Sequence, residues 1–115
     1  MFAINRSAVI VMPAQPFLDW LHRADETSGE VSLEELRQDT TIYLLTEYDS
    51  EEETGRHLRK FCCEIFEEQL DGWYRVPSAW PSDRSFRVFK QWVDFHFHSV
   101  LFDLCPGPVI KEAAE

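Results

Sequence analysis

Glycine and cysteine are scarce in this 115-residue chain, and the scarcity narrows the field before any motif is considered. Only four glycines are present, and no segment repeats at a fixed period or falls to low complexity, which argues against a solenoid or a linker-rich chain. There is no Gly-rich phosphate loop, no Gly-x-Ser-x-Gly elbow and no His-Glu-x-x-His. The usual routes to nucleotide, acyl-transfer and metalloprotease chemistry therefore have no support. Cysteine is limited to three residues, an odd number, with Cys62 and Cys63 adjacent. Adjacent cysteines bridge only with a strained backbone, and the paired Cys-x-x-Cys of zinc and redox sites is missing, so reduced thiols are expected.

Long apolar runs are also missing. The stretch Ala8 to Met12 is too short for the apolar region of a signal peptide and far too short to cross a bilayer, so a cytoplasmic location without a membrane partner is expected. Basic residues are few, eleven Lys and Arg against twenty-one Asp and Glu. Nucleic-acid binding rests mainly on cations that neutralise phosphates, and it is disfavoured here.

Acid is abundant, and it is not spread evenly. Between Asp19 and Glu53 twelve carboxylates meet only Arg23 and Arg37, which accounts for the whole formal net charge of −10, and the remainder of the chain balances to zero. Charge confined to a third of a chain can become a one-signed face that a basic protein partner reads, although charge runs are most often merely solvated. The central candidates for such a face are Glu30, Glu34 and Glu35, with Asp25, Glu26 and Glu51 to Glu53 beside them.

The remaining composition describes a folded domain. At 115 residues, with 44% hydrophobic and 14% aromatic content, the chain is expected to form one globular domain spanning 1–115, large enough to bury a core without disulfides or metal. Ala8 to Met12 is dense in β-branched residues and stops at Pro13, the pattern of a buried strand. Pro16 suits the first turn of a helix carrying Phe17, Leu18, Trp20 and Leu21 and ending near Asp25. Ser32 with Glu35 forms a capping box for a short helix from Leu33 to Arg37, and 40–46 reads as a second strand.

Ser50 with Glu53 opens a long helix whose apolar positions Leu58, Phe61, Cys62, Ile65, Phe66 and Leu70 step by three and four, with Asp71-Gly72 as its expected end. Its first turn is acidic, which suits the positive helix end, and Glu52 is placed to meet Arg56 one turn on. Trp73 to Trp80 reads as extended or as a sheet edge. From Phe86 the pattern supports either helix or strand, and the reading adopted is a helix to about Val93 followed by a strand near 96–104. The expected fold is a two-layer α+β domain, with a small, mostly antiparallel sheet of three to four strands and two to three helices against one face.

No residue set stands out as catalytic. The most tempting motif is His96-Phe97-His98, because on a strand the two imidazoles share a face, but two ligands do not make a metal site and no third is placed. Cys63 is expected to lie toward Arg59 and Lys60, cations that favour a thiolate, but no His and Asp or Asn constellation is spaced to use it. The residues are thus compatible with two classes of function, neither needing a cofactor or a metal. The first is an interaction or accessory domain offering the acidic face, with self-association also open to it. The second is a small ligand-binding domain or enzyme whose pocket is lined by Trp73, Trp80 and Trp92, with His96 and His98 as polar handles.

Overall fold

The computed structural model describes residues 1–38 and 40–114. Three strands form the main sheet: β2 (Arg6–Pro13), β3 (Thr41–Thr46) and β4 (Val93–His98), following a two-residue strand β1 (Phe2–Ala3). Their order is β3-β2-β4 and every pairing is antiparallel. The β-branched run of the sequence thus becomes the central strand, where such side chains pack well on a pleated surface. A terminal strand β5 (Phe102–Asp103) pairs with β1, and the bond from Ile4 N to Leu101 O links this small ladder to the main one.

The helices are α1 (Gln15–Ala24), the single turn α2 (Leu33–Leu36), α3 (Glu51–Trp73) and α4 (Phe86–Trp92). Both expected caps form, with Ser32 Oγ accepting from Glu35 N at 3.1 Å and Ser50 Oγ accepting from Glu53 N at 3.2 Å. Arg56 donates to Glu52 at 3.2 Å across one turn of α3. The core lies between the sheet and this one helical layer: Val9 and Val11 of β2, Leu45 of β3 and Val93 of β4 meet Phe17, Leu21, Leu58, Phe66 and Phe89. The architecture is the expected α+β one, with helices against one face of a small antiparallel sheet.

Three boundaries differ from those expected. α3 runs through Gly72 to Trp73, because Gly72 has no positive φ with which to turn the chain out, and the helix stops at Tyr74, whose N–H bonds Leu70 O. Residues 74–80 form no strand among the described residues; Pro77–Ala79 is a 3₁₀ turn pinned by two indoles, Trp20 Nε1 donating to Ala79 O and Trp80 Nε1 to Tyr74 O, each at 2.8 Å. The last expected strand starts earlier, at Val93, and is interrupted after His98 before β5 resumes it. Starting at Val93 puts Val93, Phe95 and Phe97 in register with Pro13, Val11 and Val9 on the helix-facing side, so the aromatic residues take the buried face.

Candidate functional site

Strand periodicity splits each strand between two faces; among the described residues the helices cover one of them, while on the other Ala8 is 2% exposed and Ile10 and Met12 are half-buried. Opposite the core, Ala8, Ile10 and Met12 of β2 lie in register with Leu44 and Ile42 of β3 on one side and with His98, His96 and Asp94 of β4 on the other. No helix covers this outer face among the described residues. Ile42 is 60% exposed and Leu44 53% exposed, although both lie within a strand and flank the half-buried Ile10. Exposed apolar residues are ordinary singly, but neighbouring ones on a flat sheet face form a contiguous patch. One end of the patch is closed by Arg37, which pairs with Asp94 at 3.2 Å and reaches Met12 Sδ at 3.7 Å.

The acids expected to form a face are divided by this topology. Glu30, Glu34 and Glu35 are exposed around the cap of α2 and take part in no salt bridge among the described residues. α2 leads into β3 where Thr41 pairs with Val11, whereas Glu51 to Glu53 start α3 beyond the other end of β3, where Thr46 pairs with Arg6. The six residues of β3 put about five strand steps between the two ends, roughly 17 Å. The acidic segment is therefore two patches, one at each end of the sheet. Polar contacts cap the 3₁₀ turn Glu26–Ser28 before α2: Asp25 Oδ1 accepts from Thr27 Oγ1 at 2.6 Å and from Thr27 N at 2.9 Å, and these bonds hold its carboxyl below the ordinary value.

The aromatic-pocket residues do not converge. Trp92 packs against Phe17, Trp20 and Phe66 with ring centroids 5.6–6.2 Å apart, edge-on or tilted. Trp80 is held over the 74–80 loop with the Arg84 guanidinium 6.0 Å from its ring centre. Trp73, at the exposed end of α3, borders a different concavity with Thr41, Glu68 and Gln69. His96 and His98 do share a face, but it is the outer one, opposite to Phe95 and Phe97. The sheet itself stands between the histidines and the tryptophans, because residues at odd spacing along β4 point oppositely.

No group of three or more His, Cys, Asp or Glu arranged to hold a metal ion occurs among the described residues. All three cysteines are free, and Cys63 Sγ lies 3.8 Å from the Glu67 carboxylate one turn further along α3. Cys62 is buried on the apolar stripe, and burial pushes its thiol up. No helix of the described residues is long and apolar enough to cross a membrane.

The outer apolar face was the feature that the sequence reading missed, and a signal for it exists. Ala8 to Met12 is apolar at every position, and Ile42 and Leu44 alternate with Tyr43 and Leu45, so β2 and β3 are apolar on both faces. That is the composition of strands buried on two sides, while this fold supplies cover for one. No protein-family model, curated protein or solved structure matches the chain.

Proposed function

We propose that this domain is an interaction module that uses the outer face of its sheet to dock a basic protein segment bearing an apolar stripe. The observation that supports the reading most strongly is the exposure of Ile42 and Leu44 beside Ile10, on strands whose composition suits burial on both sides. Charge favours a basic partner: exposed acids lie beyond both ends of β3, and they complement a segment with apolar residues at its centre and Lys or Arg toward its ends. A second copy of this chain is the poorer occupant, since each copy brings a net charge of −10 to the encounter. A cytoplasmic location with reduced thiols belongs to the same reading.

The test is affinity capture with cross-link mapping at low and high salt, using the parent protein, the double variant Ile42→Thr and Leu44→Thr, and the charge reversal of Glu30, Glu34 and Glu35. Threonine keeps the strand propensity while removing the apolar surface. Cross-links on the outer face, lost in the double variant and weakened by salt and by charge reversal, are the expected result. Capture indifferent to both sets of changes contradicts the reading, as does a homodimer in sedimentation that the double variant dissociates.

A further inference from the structure

At the end of β2 nearest the start of α3, Ser7 lies on the helix-facing side of the strand with Val9 and Val11, is 2% exposed, and has an Oγ without a hydrogen-bond partner. Buried hydroxyls are nearly always paired, so one that is not calls for an explanation. Ser7 lines a concavity of about 140 Å³ with Tyr48 and Asp49 before α3, Glu51 and Thr54 in its first turn, and Phe97 and His98 of β4. The other helix-cap hydroxyls there are already engaged: Ser50 Oγ accepts from Glu53 N, and Thr54 Oγ1 donates to Ser50 O at 3.0 Å. Ser7 Oγ is the buried hydroxyl of the notch with unspent bonding capacity.

Charge and size limit what fits. A helix start attracts anions, but Asp49 and Glu51 to Glu53 already supply negative charge there, and neither Asp49 nor Glu51 has a salt-bridge partner among the described residues. An anionic ligand is therefore repelled and a cation attracted. A notch of this size is close to the ~150 Å³ that holds one benzene ring, well below the space a nucleotide or a drug-sized molecule needs. A compact ammonium, with three donors, can serve one hydroxyl and two carboxylates together while its short alkyl stem lies on the Phe97 and Tyr48 rings. Guanidinium, a wide planar fork, suits such a site less well.

We infer that the notch between Ser7 and the start of α3 binds a primary ammonium group, carried either by a free short-chain amine or by a lysine side chain of a partner. The inference stands on the unpartnered hydroxyl and its acidic surroundings, separately from the outer sheet face.

The experiment titrates the ¹⁵N-labelled full chain with ethylammonium chloride, with Nα-acetyl-lysine methylamide and, at matched ionic strength, with sodium acetate. Saturable shifts of the Ser7, Glu51 and His98 amides are expected with both amines and not with acetate. Ser7→Ala and Asp49→Asn should each weaken the binding about tenfold or more, as expected for a lost hydrogen bond to a charged group. Removing an unpaired hydroxyl leaves the melting temperature of Ser7→Ala unchanged or raised, so lost binding in that variant is not unfolding. Tighter binding of the lysine derivative assigns the natural ligand to a protein side chain; tighter binding of ethylammonium assigns it to a free amine. Absence of saturable shifts with either amine overturns the inference, as do equal shifts with acetate or binding unchanged in Ser7→Ala.

Discussion

The buried amide of Gln69 on α3 donates from one nitrogen to both the Tyr43 hydroxyl, at 2.9 Å, and Thr41 Oγ1, at 3.0 Å. Tyr43 in turn donates to Glu68 Oε2 at 2.9 Å, so one short network ties β3, an edge strand, to the long helix. This network holds the strand that carries Ile42 and Leu44, and it fixes which side of β3 faces the helices. A register slip by one residue would exchange the faces and break every one of these bonds.

Gln69→Ala should therefore destabilise the protein by about 1–3 kcal/mol, the range for leaving buried polar groups unpaired. The drop is measured by thermal or urea unfolding. A variant as stable as the parent would show that the network is dispensable.

Alkaline pH probes the same contact. Burial, together with the neighbouring Glu68 carboxylate, pushes the Tyr43 phenol well above its ordinary value and outweighs the opposing bond from Gln69. A raised folded-state value means that the stabilisation is fully present below the unfolded value of about 10 and is lost as pH rises beyond it. Tyr43→Phe should flatten the decline of stability above about pH 10. Difference absorbance at 295 nm between parent and variant should show the Tyr43 phenolate appearing only with unfolding; its appearance at ordinary pH in a folded protein contradicts the buried contact.

The Trp92 ring joins Phe17, Trp20 and Phe66 across three helices, and its truncation should be felt as stability. Because the ring is half-buried, Trp92→Ala is expected near the lower end of the range for large core aromatics, about 3 kcal/mol. Melting within a few degrees of the parent would mean that the ring contributes through binding instead.

Thiol chemistry follows exposure. Under denaturing, non-reducing conditions all three cysteines should alkylate, and in the native protein Cys63 and Cys105 should react well before Cys62, which is buried and whose thiol is pushed up. Fewer than three alkylatable residues, or Cys62 reacting first, is the contrary result.

His96 and His98 should hold no metal of their own, since the residues in register with them, Ile10 and Ala8, offer no third ligand. Melting curves with and without chelator should coincide. A stoichiometric zinc ion in protein never passed over a metal column, with a chelator-induced drop reproduced by changing both histidines to Ala, would contradict this and favour the ligand-binding class.

The elements of this fold were legible because local signals agreed with one another. Ser32 and Ser50 sit where their capping boxes placed them, the apolar stripe of α3 fell on the core, and the helix before the last strands ends within a residue of its expected end near Val93. The end of α3 was less legible, since Gly72 marks a stop only when it takes a positive φ and here it does not. What the site lacked was layer information. Alternation in β4 showed that His96 and His98 share a face, but only the assembled sheet reveals that the tryptophans lie on its other side. The acidic segment likewise became two patches because β3 passes between them, a separation set by pairing with β2 and invisible to charge counting.

Methyl resonances give the most direct test of the docking face. With the cross-linked basic partner purified and added to methyl-labelled protein, Ile10, Ile42 and Leu44 should shift first and most, while the buried Val9, Leu58 and Leu70 keep their positions. Shifts confined to the loop around Glu30 to Glu35, or to α3, would contradict the claim that the uncovered side of the sheet is the surface in use.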